Sequence, residues 1–341
     1  MAVDLWNEIT VERSASFSIT TMGEGAGLIP DVVSEAGESN HLVLQALQRA
    51  FEYAGETPMP PVTVTCKNKV PISSGFGSSS AAIIGGLLAG LVLAGKELNV
   101  EGGSGIPEEL LQLANEIEGH ADNVAPALYG GIQLCCRLEG DSVQKVMSRR
   151  LPCPPGMRLV VYVPTEDARF NIGADKTTAM RELLKPEVSR DDAVFNIQRT
   201  ALMVDALHRQ DLTYLRTATQ DKLHQPIRGE KAFPHMRPMI DAALGAGAHG
   251  AFLSGAGPSI MAICSGARGD IFAQRTVERQ ELLVAGAMRE AVMALSPEHV
   301  SHWAGGEFFI TGPTVNGAHV VSATPSFSTG LETFGSLDGS L

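Results

Sequence analysis

Pro71-Ile-Ser-Ser-Gly-Phe-Gly-Ser-Ser-Ser-Ala-Ala82 follows a strand-like run, Val62–Val70, and precedes a long apolar run, Ile83–Leu98. Strand, glycine-rich turn and helix, in that order, shape a backbone to hold an anion. Glycine permits sharp turns and lets a ligand come close, because no Cβ stands in the way. The N–H groups of the first helical turn lack intrahelical acceptors and point beyond the helix start. Five serines in the stretch add hydroxyls that can donate to an anion or ligate a metal. Phosphate is the anion this pattern suits first. The stretch is not a Walker A loop, since no Gly-Lys-Ser/Thr follows, and it is not Gly-x-Gly-x-x-Gly either.

The surrounding chain has 341 residues, enough for two ordinary domains, and its 44% hydrophobic and 19% charged residues read as globular. A net charge of -12 argues against nucleic acid as the main partner. None of the five cysteines forms a C-x-x-C or Cys/His metal spacing, which points to reduced thiols. Asp4, Glu8 and Glu12 interrupt any signal-peptide pattern.

In chain order, Val3–Val11 and Ser14–Thr21 read as strands. Ser39 or Asn40 is placed to cap a helix reaching Tyr53, with Leu42, Leu47, Ala50 and Phe51 inward. Ala81–Gly95 has the Gly86-x-x-x-Gly90 pattern of membrane helix pairs, yet is short of the ~20 residues that span a bilayer, so a buried core helix is expected. Gly102–Gly105 reads as a loop, Pro107–Glu118 as a helix and Ile132–Leu138 as a strand. Asp141–Pro155 is the expected domain boundary. Beyond it come a strand at Leu159–Pro164 and helices at Lys176–Leu184, Arg190–Leu207, Leu212–Asp221 and His235–Ala246. A strand–turn–strand follows around Ser254-Gly-Ala-Gly-Pro-Ser259, then a helix, Asp270–Leu295. Phe308–Ile310 and Ala318–Val321 would close a sheet, and Ser322–Leu341 reads as a disordered tail.

Two further clusters carry chemistry. Glu118 and Asp122 flank His120, with Asn123 next, so two carboxylates four residues apart could serve a metal and a hydroxyl nucleophile. Asp122 could equally be a plain helix cap before Val124–Tyr129. Ser254–Ser259, taken alone, is a β-turn.

Together the three clusters resemble the GHMP kinase superfamily. Its phosphate loop, P-x-x-x-G-L-G-S-S-A-A, is similar to Pro71–Ala81, with Phe76 in place of Leu and Ser80 in place of Ala. Its C-terminal glycine turn resembles Leu253–Ser259. Glu118-Gly-His-Ala-Asp-Asn-Val-Ala-Pro-Ala-Leu-Tyr-Gly-Gly131, Val188–Asn196 and Asp221–Arg228 look like the homoserine kinase branch. The resemblance implies an α+β, two-domain GHMP kinase fold: a ribosomal protein S5 domain 2-like N-terminal domain at residues 1–150 and a ferredoxin-like C-terminal domain at 151–321. It also implies phosphorylation of L-homoserine in threonine biosynthesis, with ATP and Mg²⁺ as cofactors.

By the same resemblance, Pro71, Ile72, Ser73, Ser74, Gly75, Phe76, Gly77, Ser78, Ser79, Ser80 and Ala81 would hold the nucleotide phosphates, and Asn40 would lie near the adenine. Ser79 and Glu118 would hold the metal, and Asp122 would receive the substrate hydroxyl as base or orienting group. Arg181, Arg228, Asn123 and Gly255 would contact the substrate. The family's opening motif, roughly P-A-T-x-A-N-L-G-P-G-F-D, has no counterpart before the first strand. A chain lacking a first strand, with impaired turnover, is therefore one expectation, and another small-molecule GHMP kinase is the second alternative. The expected partner is a small-molecule substrate, with no nucleic acid and no membrane; a homodimer is left open. A cytoplasmic location is expected, with organellar targeting left open by the short N-terminus.

Overall fold

The computed structural model describes residues 1–96, 108–138, 145–170, 176–264 and 279–323. They form two compact units, one built from Met1–Val70, Gly77–Arg149 and the chain from Val315, the other from Pro71–Phe76 and Arg150–Thr314.

The first unit holds β1 (Glu8–Arg13), β2 (Ser18–Gly23), α1 (Leu42–Ala54), β3 (Val62–Asn68), α2 (Ser78–Leu93), α3 (Glu108–Glu118), α4 (Ala121–Tyr129), β4 (Ile132–Arg137) and most of β5 (Val146–Leu151). Its main sheet has the order β1-β3-β2, with β1 antiparallel and β2 parallel to β3; β4 and β5 pair separately. Alternation in β3 turns Val62, Val64 and Cys66 inward, where they meet Ile19 and the Val43, Leu44 and Leu47 face of α1. Each such side chain contributes roughly 1.5–3 kcal/mol on full burial.

The strand expected from Val3 starts only at Glu8. Upstream, the Asn7 side-chain oxygen accepts the N–H groups of Lys69 and Val70 at 2.8 and 2.9 Å, doing the work of a ladder. The cap of α1 is His41, not Ser39 or Asn40: its Nδ1 accepts the Val43 N–H at 3.2 Å, while Ser39 Oγ accepts the His41 N–H. Burial lowers the His41 pKa against the pull of Asp31, keeping the ring neutral and Nδ1 able to accept.

Helix α2 is apolar all round because α1 covers one side and α3 and α4 the other. Gly86 and Gly90 are the contact points. A Cβ on Gly86 would lie 2.6 Å from Val43 O and 2.7 Å from Ala46 Cβ, and one on Gly90 would lie 2.6 Å from Ala50 Cβ. The small-residue spacing thus serves close packing against α1 within this unit. Among the described residues no helix is long and apolar enough to cross a membrane. Ala318–Val321 forms no strand; the Ala318 N–H donates instead to Ala127 O at 2.9 Å, and Gly317 lies against the Leu128 carbonyl.

The second unit comprises β6 (Arg158–Val163), α5 (Glu166–Phe170), α6 (Lys176–Glu182), α7 (Arg190–His208), a 3₁₀ turn at Leu212–Tyr214, α8 (Leu215–Ala218), α9 (Gln225–Lys231), α10 (Met236–Gly245), β7 (Gly250–Leu253), β8 (Ile260–Cys264), α11 (Gln280–Met293), α12 (Pro297–Trp303) and β9 (Glu307–Thr311). The sheet order is β7-β8-β6-β9, every neighbour antiparallel. Its core gathers Val160, Tyr162, Phe233, Met239, Ile260, Val284, Met288 and Trp303. The single helix expected at Leu212–Asp221 is the 3₁₀ turn and α8, stopped before Asp221, whose carboxylate is committed elsewhere. The expected loop at Gly102–Gly105, the start of the helix expected from Asp270, and the tail from residue 324 lie outside the described residues.

Two glycine substitutions separate packing from propensity. Gly86→Ala should destabilise by about 1–3 kcal/mol through overpacking, although alanine is the better helix former. Gly286→Ala in α11, where nothing lies within 4 Å of an added Cβ, should instead stabilise by about 0.5–1 kcal/mol. Thermal melts of both variants against the parent read the opposite signs; equal signs would contradict the packing account.

Candidate functional site

In the first unit, a cluster of acceptors and donors collects at the start of α2. Gly77 is the N-cap, with φ of 72°, a left-handed value that suits glycine, and it offers no side chain to the first turn. Ser79 Oγ and Ser80 Oγ donate to the same carboxylate oxygen, Glu118 Oε1, at 2.6 and 2.9 Å. That carboxylate ends α3 and its side chain is 7% exposed. His120 stands between the two acids, with Nε2 3.8 Å from Glu118 Oε1 and Nδ1 2.5 Å from Asp122 Oδ1. The side chain of Asp122, in the first turn of α4, is 75% exposed. Its neighbour Asn123 lies under Gly77, where a glycine Cβ would come within 3.2 Å of the asparagine side chain. Of the nucleotide-loop candidates in this unit, Ser78 opens α2 and the Ala81 N–H donates to Gly77 O at 3.0 Å. Asn40 is exposed, in the bend just before the His41 cap. Beside it, Ser39 Oγ donates to Val32 O at 2.6 Å and Ser39 O accepts from Gln45 Nε2 at 3.2 Å, while upstream Asp31 accepts from the Thr21 N–H and hydroxyl at 3.0 and 2.6 Å.

Pro71–Phe76, the first half of the loop, belongs with the second unit. It is clasped to the glycine turn after β7. The Ser254 hydroxyl donates to Gly75 O at 2.9 Å, and the Ser259 N–H donates to Ser74 O at 3.2 Å. Ser74 Oγ turns back to Pro71 O at 2.5 Å. Arg169, only 4% exposed in α5, donates from Nη1 to Ile72 O at 2.7 Å. Ser73 and Gly75 take φ of 52° and 90°. A Cβ on Gly75 would lie 2.0 Å from Ser254 O, so the two turns touch backbone to backbone. Phe76 packs on the ring of Phe309 at 5.9 Å. The glycine turn has its own prop: His235 sits below it with Nε2 2.9 Å from Pro258 O, stacked on Trp303, and burial pulls its pKa down to about 4.

Arg228, Arg181 and Gly255 also come together in this unit. Arg228 is 8% exposed and donates from Nη1 to Gly255 O at 3.2 Å and from Nε toward Met180 O at 3.5 Å, next to Arg181 in the chain. Burial depresses its pKa; the Asp221 charge opposes this, and the Arg181 charge adds a smaller push down. Among the described residues no carboxylate forms an ion pair with Arg228 or with the exposed Arg181. Two guanidinium groups near one another, neither in an ion pair with a carboxylate among the described residues, favour an incoming carboxylate.

Asp221 fixes the helix that carries Arg228. Its carboxylate accepts the N–H groups of Leu223, His224 and Gln225 at 3.0, 2.8 and 2.5 Å, and the Asn196 amide of α7 at 2.6 Å. Burial alone would raise its pKa; the hydrogen bonds to His224, Asn196 and the backbone outweigh that and hold it far below the ordinary 3.8. Ser80 as a partner of Glu118, Arg169 and Asp221 were not singled out from sequence for these roles. Asp221 followed by Pro226 at a helix start was a legible cap signal; nothing in the sequence around Arg169 marks its contact with Ile72.

Comparison with known proteins bears on this arrangement. Residues 41–131 match the family model of the GHMP kinases N terminal domain, and residues 203–279 that of the GHMP kinases C terminal domain. A homoserine kinase from Desulfitobacterium hafniense is 36% identical over 278 residues, 82% of this chain and 85% of that protein. One from Moorella thermoacetica is 37% identical over 266 residues, 78% and 81% of the two chains. A crystal structure of homoserine kinase from Cytophaga hutchinsonii superposes with a TM-score of 0.68 at 23% identity, covering 91% of this chain and 87% of that one. The Streptococcus pneumoniae phosphomevalonate kinase shares the fold at a TM-score of 0.60 and 12% identity, covering 84% and 88%.

The Asp221 cap predicts a pH signature. Its folded carboxyl titrates below its unfolded value of 3.8, so its contribution is complete above that pH and fades as pH falls below it. Asp221→Asn should lose about 1–3 kcal/mol at neutral pH, because the amide cannot accept the same bonds at both atoms. The variant's deficit against the parent should shrink on acidification below pH 3.8. Unfolding followed by circular dichroism from neutral pH down through that value tests this; a pH-independent deficit would contradict it.

Proposed function

The chain belongs to the GHMP kinases, and we propose that it transfers the γ-phosphoryl group of ATP to the side-chain hydroxyl of L-homoserine, giving ADP and O-phospho-L-homoserine. The observation that carries this reading is the 36% identity to a relative named homoserine kinase across 85% of that relative's length. Residues 1–150 would form the nucleotide-binding domain of this reading and 151–321 the C-terminal domain.

Phosphoryl transfer depends on placement and charge neutralisation rather than covalent help from the protein. The N–H groups opening α2 and the serines beside them suit the nucleotide phosphates. Ser79, Ser80 and Glu118 supply one carboxylate and two hydroxyls. That donor set fits Mg²⁺, which takes one or two carboxylates together with phosphate oxygens. Among the described residues there is no cluster of three His, Cys, Asp or Glu to cage a metal without such help. Bound there, Mg²⁺ would neutralise phosphate charge.

Asp122 is the group for the substrate hydroxyl: exposed, on the first turn of α4, with one oxygen held by His120. A loose transition state asks for little prior deprotonation, so orienting the hydroxyl is enough. The buried Arg228, with Arg181 beside it, grips the carboxylate of an amino-acid substrate; mevalonate also carries a carboxylate, so the substrate amine is the discriminating group.

ADP release measured with homoserine, mevalonate and galactose tests the assignment, with turnover expected on homoserine; turnover on either of the others and none on homoserine would overturn it. Asp122→Asn should lower kcat by on the order of 10²–10⁴-fold with little change in either KM. Arg228→Ala should raise the homoserine KM by on the order of 30-fold and leave the ATP KM largely unchanged. Loss of affinity for both ligands in equal measure would place Arg228 in the scaffold instead.

A further inference from the structure

His235 stands at the N-cap of α10, the place His41 takes at α1, yet its ring is used differently. His41 Nδ1 accepts the Val43 N–H and so caps its helix. His235 makes no side-chain cap, and its buried Nδ1 has no hydrogen-bond partner among the described residues. An unmet buried acceptor disfavours the fold. Neither capping nor core packing therefore accounts for an imidazole at this place; a phenylalanine would fill it without that loss. What the imidazole alone supplies is Nε2, 2.9 Å from Pro258 O. A carbonyl only accepts, so Nε2 carries the proton. Burial lowers the ring's pKa to about 4 and keeps it neutral.

The ring has a fixed seat. It stacks on Trp303 at 4.0 Å and meets Tyr162 and Phe233 in T-shaped contacts at 5.6 and 6.0 Å. Tyr162 lies in β6, an inner strand of the sheet, and its hydroxyl donates to Trp303 O. Gly257 rests on the same floor, since a Cβ there would lie 2.5 Å from the Phe233 ring. The carbonyl that His235 holds belongs to the peptide joining Pro258 to Ser259. The N–H of that same peptide donates to Ser74 O at 3.2 Å. A peptide unit is planar, so fixing its oxygen from below aims its N–H at the phosphate loop above. The other grip on the loop, from the Ser254 hydroxyl to Gly75 O, comes from the same turn.

We propose that His235 is a positioning residue for nucleotide binding: through the Pro258–Ser259 peptide it orients the amide that holds the phosphate loop at Ser74. It touches no ligand itself. The inference rests on reading Pro71–Ala81 as a nucleotide-phosphate loop and is independent of which alcohol is phosphorylated.

Calorimetry of the full chain with Mg²⁺ and the β,γ-imido analogue of ATP, with no acceptor present, tests this. His235→Phe keeps a ring on Trp303 and trades the unpaired Nδ1 for an unpaired Pro258 carbonyl, so its melting temperature should stay within about 3 °C of the parent's. Its analogue Kd should rise about five- to tenfold. His235→Gln keeps a donor at the reach of Nε2 but loses the ring stack. It should melt lower than His235→Phe and yet bind within about twofold of the parent. Val284→Ala, which opens a cavity at a wholly buried position of α11 in the same core, should lower the melting temperature and leave Kd unchanged. His235→Phe binding as the parent does or melting far below it, His235→Gln binding no better than His235→Phe, or an equal weakening by Val284→Ala would each overturn the proposal alone. A parent that binds no analogue would overturn the phosphate-loop reading, and the proposal with it.

Discussion

One carboxylate receiving two hydroxyls organises the first unit. Glu118 Oε1 accepts from both Ser79 and Ser80, and its side chain is almost wholly buried. A buried acid without partners costs several kcal/mol, so the end of α3 and the start of α2 must meet at this spot. For them to meet, α2 has to lie deep among α1, α3 and α4, which is why it carries no polar side and why glycines mark its approach to α1. The apolar run and the serine cluster are therefore one requirement seen twice. The helix is buried so that its N-terminus can be aimed, and the hydroxyls at that end are spoken for by an acid that a metal would share.

The second unit solves a different problem, holding a strained turn still. Ser73 is a non-glycine residue in the left-handed region, a conformation that persists only when neighbours over-determine it. Here the neighbours are the Ser254 hydroxyl, the Ser259 amide and the buried Arg169 guanidinium, each bound to a carbonyl of the Ile72–Gly75 turn. Contact at Gly75 is so close that any side chain would strike the Ser254 carbonyl. The conformation of this half of the loop thus depends on a turn about 180 residues downstream, and His235 and Trp303 brace that turn from below.

How much of this could be read from the residues follows from how local each signal is. The glycine-rich loop, the buried helix after it and the strand–turn–strand at Ser254–Ser259 depend on neighbours in sequence, and their elements lie where expected. The convergence of Ser79 with Glu118 was legible only through a resemblance, because the two are far apart in the chain. Arg169 left no trace: a buried arginine bonding a backbone carbonyl has no sequence pattern, and α5 is five residues long. The shift of the first strand and of the α1 cap had physical causes that composition hides. In both, a side chain, Asn7 or His41, takes over a backbone bond.

Arg228 shows how far such dependencies reach. Its helix, α9, is seven residues long, below the length at which a helix holds itself together. What keeps it formed is the Asp221 carboxylate at its start, which binds three successive amides there. Asp221 in turn is oriented by Asn196 on the inner face of α7. The order of support therefore runs from α7 through one acid to one short helix, and only then to the guanidinium that would meet substrate.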